Sequence, residues 1–333
     1  MRLLSLIEII ILYPCCLQAR RKMWLRADPF KHKINGDDLF KVTHALAETS
    51  ADCFTVPKVY GGVPVITFRL GDTLQEAKRL VRPKKWKFRI NERDNERVEA
   101  VTNADNGDDL EVLSTLLNSQ IIRHDFRSLA PGRFLNDDAL LFFLLLLITK
   151  HRNKNIVFLF NSFFFKKLTK SWDGDRASVK KPKFDYQSVK RWTKYVDITK
   201  KKFVFIPIHL PSERHWVLVV INFYDRHMLF YDSLSGSHKA IITIIKKYVC
   251  LELLSKQVYK EVPTNYWKSW TFNMKASSTQ ANGCDCGIFV AMNIWCLMNN
   301  LPTDTSAVQK NMDMFRKYMA LCLLKKTMVG ATS

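Results

Sequence analysis

The stretch Gln280-Ala281-Asn282-Gly283-Cys284-Asp285-Cys286-Gly287 runs directly into the apolar segment 288–295, so Cys286 stands where a polar loop becomes a helix. The unpaired N–H groups and the macrodipole of a helix N-terminus favour negative charge, which shifts a thiol there towards the nucleophilic thiolate. The position of Cys286 therefore predicts a nucleophile. A lone cysteine is more often a small buried hydrophobe, so the prediction depends on its companions.

The companions lie in two runs of β-branched and aromatic residues, 215–223 and 228–233, which flank a short polar turn. This pattern predicts an antiparallel hairpin whose first strand is covered on both faces. His215 opens the first strand and Asp232 closes the second, so we expect them within a few residues of a cross-strand pair. A thiol, an imidazole and a carboxylate are the three parts of an activated-nucleophile triad.

Several motifs in order resemble one family. The His-Trp pair at 215–216, an Asp seventeen positions after that His, and a Gln six positions before the Cys of Asp-Cys-Gly resemble the SUMO-specific (sentrin-specific, Ulp-type) cysteine proteases. The family's Trp-Leu-Asn-Asp motif is similar to Phe134-Leu135-Asn136-Asp137. The strand that follows this motif in the family is similar to residues 160–165, and a further family motif is similar to residues 186–194. The resemblance covers about residues 111–327. It implies an α+β fold in which a mixed central β-sheet packs against helices, with the catalytic Cys at the N-terminus of a buried helix.

The resemblance also implies roles for the matching residues. Cys286 is the expected nucleophile, His215 the general base and later the general acid, and Asp232 the group that orients His215. Gln280 is expected to complete an oxyanion hole with the backbone N–H of Cys286. The expected substrate-binding residues are Trp216, Phe134, Asn136 and Asp137. A channel walled by aromatic rings excludes any Cβ, which would select the Gly-Gly tail of the modifier.

The implied activity is cleavage after the C-terminal Gly-Gly of a SUMO-type modifier, by precursor maturation or isopeptide deconjugation, through an acyl-thioester intermediate. No metal or organic cofactor is expected. Two alternatives stay open: a protease for another ubiquitin-like modifier, and a module that binds such a modifier without cutting it. The intact Cys286, His215, Asp232 and Gln280 argue against the binding module, because losing a triad member forfeits orders of magnitude in rate.

Three features depart from the family pattern. Phe134 replaces the usual Trp, which keeps an apolar wall but removes an N–H and predicts weaker tail binding. Cys284 is interpreted as a variable loop position rather than a redox partner, because a Cys-x-Cys loop is short for an unstrained disulfide. Residues 170–183 form an apparent insertion, expected as a solvated basic loop. His209, six residues before His215, is interpreted as structural.

Composition limits the partners and the compartment. Among 333 residues there are 52 Lys and Arg against 31 Asp and Glu, a net charge of +21, so the surface should attract acidic partners. Nucleic acid, an anionic membrane and an acidic protein are all candidates, and the charge alone does not choose among them. The resemblance implies the modifier as such a partner, and no motif for sequence-specific nucleic-acid binding occurs. The eight cysteines are scattered, which excludes a disulfide scaffold or zinc finger and favours a reducing compartment, the nucleus or cytoplasm. The protein is expected to act as a monomer.

The sequence predicts three parts. Residues 1–22 are an apolar segment of unclear role, residues 23–110 are a basic extension and linker, and residues 111–333 are the catalytic domain. Residues 1–17 resemble a weak signal peptide, but a misassigned start or an amphipathic helix is favoured. A turn and a strand are expected at 59–68, a helix at 72–81 and a linker at 103–109. The apolar block 139–148 follows the capping residues Asn136 and Asp137 and predicts a buried helix too short to span a membrane.

Overall fold

The chain forms two compact units, a smaller one within residues 1–85 and a larger one spanning Trp86–Asn299 and Thr303–Thr332. Of residues 1–85, the computed structural model describes only the backbone of four strands. Beyond them it describes residues 88, 90–116, 119–151, 154–170, 183–236, 238–274, 277–299, 301, 303 and 311–329.

The smaller unit contains a four-stranded antiparallel sheet of order β2-β1-β4-β3. Its first strand lies in the segment interpreted as a misassigned start or an amphipathic helix. The backbone there is a strand and not a helix, in keeping with its isoleucines, since Ile favours strands. The strand expected at 59–68 is confirmed, whereas the expected helix at 72–81 lies outside the described residues. The strands are β1 (Leu6–Ile10), β2 (Leu25–Arg26), β3 (Val59–Tyr60) and β4 (Val63–Arg69).

The larger unit is built around a mixed five-stranded sheet of order β11-β10-β9-β8-β7, which confirms the expected central sheet. The outer pairs are parallel and the inner pairs antiparallel. Every residue of β9 is buried, as the hairpin pattern predicts. The strands are β7 (Val157–Leu159), β8 (Phe203–Leu210), β9 (His215–Asn222), β10 (His227–Tyr231) and β11 (Thr271–Asn273), and a separate hairpin joins β5 (Val112–Leu116) and β6 (Ser119–Ile122).

The helices pack around this sheet. The helix expected to begin at Cys286 is present and completely buried. The helix expected after Asn136 is also confirmed, and the Asn136 side chain caps it by accepting the Ala139 N–H at 2.9 Å. No helix among the described residues is long and apolar enough to cross a membrane. The helices are α1 (Glu92–Thr102), α2 (Arg123–Arg127), α3 (Asp137–Lys150), α4 (Phe163–Leu168), α5 (Lys239–Ser255), α6 (Cys286–Met298) and α7 (Met312–Lys325).

The expectation of a strand at residues 160–165 is wrong, since the segment leads into the short helix α4. The N–H of Phe163 donates to Asn161 Oδ1 at 2.7 Å and starts the helical turn. Phe164, Phe165 and Leu168 are buried on one side, a helical spacing. The strand at this place, β7, ends one residue before the segment, at Leu159.

Residues upstream of 111 contribute to the larger unit. The ring of Phe88 packs against Trp295 at 5.1 Å and Tyr318 at 4.6 Å between centroids. Helix α1 is tied to α7 by Lys317, whose Nζ lies 2.9 Å from Glu99 Oε1. The compact unit therefore begins before the expected boundary at 111, while the division of roles between 23–110 and 111–333 stays a prediction. The expected insertion falls largely on residues 171–182, outside the described part.

Candidate active site

The β9–β10 hairpin brings His215 and Asp232 together. Leu218 pairs with Tyr231, so Asp232 leaves the end of β10 beside the start of β9. His215 Nε2 lies 2.7 Å from Asp232 Oδ1, and the two residues are 3% and 5% exposed. The sequence therefore predicts this pair correctly, and its burial removes competing water.

Four donors surround the Asp232 carboxylate. Besides His215, the N–H of Leu234 donates to Oδ1 at 2.8 Å and the N–H of Gly236 to Oδ2 at 2.7 Å, while His238 Nε2 lies 3.5 Å from Oδ2. Burial alone would raise the pKa of Asp232, but the hydrogen bonds from His215, His238 and Leu234 hold it well below its usual range. The carboxylate therefore stays ionised beside His215.

Cys286 is the first residue of α6 and is buried against the imidazole of His215. Burial lowers the pKa of His215, but the hydrogen bonds with Asp232 and Cys286 outweigh it and raise the pKa to about 9. Because Asp232 occupies Nε2, Nδ1 is the ring nitrogen left for the thiol. An imidazolium next to sulfur stabilises the thiolate, as does the helix N-terminus.

Gln280 is held by Ser233, the residue after Asp232, and by its own loop before Cys286. Its Oε1 accepts the Ser233 hydroxyl at 2.6 Å, and its N–H donates to the Ser233 carbonyl at 2.9 Å. Its Nε2 donates to the Asn282 carbonyl. A primary amide carries two N–H donors, so this arrangement is compatible with the expected oxyanion-hole role, which stays a prediction.

The expected aromatic walls lie on two neighbouring segments. Trp216 is buried, donates from Nε1 to the Leu135 carbonyl at 3.3 Å and stacks on His209 at 4.7 Å between centroids. His209 thus supports the indole from behind. Phe134 is 43% exposed, and the Arg214 guanidinium lies 4.8 Å from its ring centroid.

Asn136 and Asp137, also expected to bind substrate, both stand at the start of α3. Besides capping the helix, Asn136 donates from Nδ2 to Asp125 Oδ1 at 2.8 Å. Asp137 is half-buried in the first helical turn. The structure thus gives Asn136 a role in holding the helix start next to Phe134, and substrate contact by either residue stays a prediction.

Sequence reasoning missed Arg316 as a site residue. Its guanidinium is fully buried and lies 2.6 Å from Asp285 Oδ1, directly before Cys286. It also donates to the carbonyls of Ser128 at 3.2 Å and Arg133 at 2.9 Å. Arg316 therefore joins α7 to the loop before the nucleophile and to the loop before Phe134, and no local sequence signal announces such long-range bonds.

Two glycines with no predicted role permit close packing at the site. A Cβ on Gly236 would lie 2.7 Å from Asp232 Oδ2, and one on Gly287 would lie 2.9 Å from Leu135 Cβ. Both distances are shorter than a side chain tolerates, so each position requires glycine. Gly287 was noted in the sequence only as part of the cysteine motif.

Cys284 lies two residues before the proposed nucleophile. Burial raises the pKa of Cys284, which supports its interpretation as an unreactive loop position. None of the cysteines of the described ranges forms a disulfide; these are Cys250, Cys284, Cys286, Cys296 and Cys322. Within those ranges, no group of three or more His, Cys, Asp or Glu side chains gathers to hold a metal ion.

A buried Cys-His-Asp constellation on an α+β scaffold is the arrangement of a thiol hydrolase. The sequence pattern of the Ulp1 protease family, C-terminal catalytic domain, matches residues 133–326. The match covers more than half of the chain, so this chain belongs to the Ulp1 protease family.

Curated relatives and solved structures agree with this assignment. The chain is 30% identical over 216 residues to a sentrin-specific protease of Caenorhabditis elegans, covering 63% of this chain and 28% of the relative. It is 34% identical over 202 residues to human sentrin-specific protease 5, covering 60% of this chain and 23% of the relative. The match thus spans only about a quarter of the length of these relatives. Among solved structures, the C-terminal Ulp1 protease domain in complex with Smt3, the yeast ortholog of SUMO, is similar with a TM-score of 0.56 and 30% identity over 71% of this chain and 96% of that chain.

Proposed function

We propose that this protein is a cysteine protease that cleaves after the C-terminal Gly-Gly of a SUMO-type modifier. The observation that carries the proposal is the placement of Cys286 at the start of a buried helix against the His215–Asp232 pair. The solved Ulp1 relative in complex with Smt3 and the sentrin-specific proteases support the substrate class. The net charge of +21 supports an acidic partner.

The chemistry follows from the three side chains. The Cys286 thiolate attacks the carbonyl carbon of the last glycine, and the carbonyl π electrons move to oxygen. The Cys286 N–H and the Gln280 amide are proposed to bind this oxyanion. As the C–N bond breaks, protonated His215 gives its proton to the leaving amine and leaves an acyl-thioester on sulfur. Neutral His215 then takes one proton from water, whose oxygen attacks the thioester carbonyl. The C–S bond breaks and returns Cys286 as the thiolate beside protonated His215, and the product acid loses its proton to solvent.

Substrate selection is assigned to the walls beside Cys286. Trp216 presses against Gly287 from β9, and Phe134 lies on the segment that receives the Trp216 hydrogen bond. A glycine tail fits between rings that would clash with a larger residue. Asn136 and Asp137 are proposed to contact the modifier at the mouth of the same channel. The free thiols of the described ranges support a reducing compartment, the nucleus or cytoplasm.

Covalent trapping tests the proposal. The full chain is incubated with SUMO, ubiquitin and another ubiquitin-like protein, each carrying a C-terminal thiol-reactive group, and adducts are read by mass. We expect a SUMO adduct that is lost in Cys286→Ser and retained in the matched control Cys284→Ser. An adduct with another modifier alone would replace the substrate and keep the mechanism. No adduct from folded protein would instead favour a binding module.

A further inference from the structure

A second histidine approaches the Asp232 carboxylate from the side opposite His215. His238 Nε2 lies 3.5 Å from Oδ2, whereas His215 Nε2 lies 2.7 Å from Oδ1. His238 is 7% exposed, stands immediately before α5, and its ring centroid lies 5.7 Å from that of Phe230. Its ring is therefore fixed by packing as well as by the carboxylate.

We propose that His238 is a positioning residue that fixes the plane of the Asp232 carboxylate and thereby the orientation of His215. The inference rests on the proposed function, in which Asp232 orients the base. A carboxylate held by only one oxygen can turn about its Cβ–Cγ bond. His215 and Leu234 hold Oδ1 and the Gly236 N–H holds Oδ2, and His238 supports Oδ2 from a further side at 3.5 Å, so the four contacts together oppose this rotation.

The backbone between Asp232 and His238 allows the two side chains to approach each other. A Cβ on Gly236 would lie 2.7 Å from Asp232 Oδ2 and 2.9 Å from His238 Nε2, so a glycine is required where these atoms converge. The Gly236 N–H points at the same oxygen at 2.7 Å. Within the described residues, His238 has its ion-pair contact with Asp232. The same carboxylate also contacts His215, the second titratable group at this place.

Two substitutions separate positioning from packing. His238→Gln keeps an N–H donor near the position of Nε2, whereas His238→Phe keeps a ring of similar size without a donor. With a SUMO carrying a C-terminal fluorogenic amide, we expect kcat of His238→Phe to fall about 10- to 100-fold with KM unchanged. The kcat of His238→Gln should stay within about threefold of the wild-type value, a smaller change than the loss expected for His238→Phe.

A second readout does not require activity. The proton between His215 Nε2 and Asp232 should give a low-field NMR resonance in the wild-type full chain. We expect that resonance to weaken or shift in His238→Phe and to persist in His238→Gln, with both variants retaining cooperative thermal unfolding. Because the resonance needs no substrate, it tests the inference even if the wild type cleaves no modifier and the proposed function fails.

Two results would overturn the inference. One is a His238→Phe variant with the wild-type kcat and an unchanged resonance, which would show that the contact at Oδ2 is dispensable. The other is an equal loss of kcat and resonance in the Phe and Gln variants together with an equally lowered Tm, which would assign His238 a packing role only.

Discussion

The buried ion pair between Arg316 and Asp285 yields a prediction whose size follows from the structure. Arg316 Nε and Nη2 lie 3.1 and 2.6 Å from Asp285 Oδ1, and both residues are nearly inaccessible to water, at 0% and 2% exposed. Arg316→Met would keep the apolar stem of the side chain and remove every donor. It would leave the Asp285 carboxylate buried without an ion-pair partner, with the Asn282 amide still donating to its Oδ2, and would also orphan the carbonyls of Ser128 and Arg133.

Breaking a buried pair by removing one partner costs about 3–5 kcal/mol, because the remaining charge stays uncompensated. A domain is stable by about 5–15 kcal/mol, so Arg316→Met should lose a large share of this unit's stability. For a unit of this size, the Tm should fall by roughly 6–20 °C. Adding Asp285→Asn should recover part of the loss, because the orphaned charge is then gone.

The assay is urea and thermal unfolding of the full chain, followed by tryptophan fluorescence. The matched control is Lys317→Met, the next residue of α7, whose partner Glu99 lies on the surface. An exposed ion pair contributes little, so the control should unfold like the wild type. If Arg316→Met were no less stable than Lys317→Met, the argument that this pair anchors the loop before Cys286 would be refuted.

Three further predictions concern the triad and the channel. Gly236→Ala should lower kcat about tenfold or more by pushing the Asp232 carboxylate away, whereas Gly283→Ala, whose Cβ meets nothing within 4 Å, should leave kcat unchanged. The pKa of His215 is raised from 6.5 to about 9, so the stability this residue contributes is present below about pH 6.5 and lost as the pH rises through 9. Urea unfolding of wild type and His215→Gln across that range should show their stability difference shrinking. Phe134→Trp should lower KM roughly two- to fivefold in steady-state cleavage assays, because the larger ring buries more apolar area against the tail.

Each of these predictions has a contrary result. Equal kcat for the two glycine variants would mean that Asp232 tolerates displacement. A stability difference between wild type and His215→Gln that grows with pH would contradict a raised pKa. An unchanged KM in Phe134→Trp would place Phe134 outside the channel.

Local sequence patterns predicted the elements that carry the proposed triad. The β-branched run after His215 predicted a buried strand, and all of β9 is buried. The polar-to-apolar transition at Cys286 predicted the start of α6. Both signals work because an element buried on every side leaves a continuous apolar run in the sequence, bounded by polar residues. The strand that the resemblance implied at 160–165 is wrong, because the Asn161 side chain accepts the Phe163 N–H and a helical turn begins there instead.

The supporting contacts were beyond such patterns. Arg316 reaches Ser128 across 188 positions and Asp285 across 31, so nothing in its own neighbourhood indicates a bond to either. In the sequence, nothing distinguishes Gly236 from other glycines. Only the folded structure shows that Asp232 and His238 leave no room for a Cβ at this position. Long-range hydrogen bonds and positions that exclude a Cβ depend on tertiary geometry. Local patterns in a single sequence do not predict that geometry.

The two buried carboxylates near Cys286 divide their roles through the partners that the fold gives them. Asp285 is adjacent to the nucleophile in sequence, but it pairs with a guanidinium that stays charged at any working pH, so its charge is committed to holding the loop. Asp232 lies far from Cys286 in sequence and pairs with an imidazole that gains and loses a proton. A carboxylate assists proton transfer only when its partner titrates. This difference supports the proposed role of Asp232 in the chemistry and a structural role for Asp285.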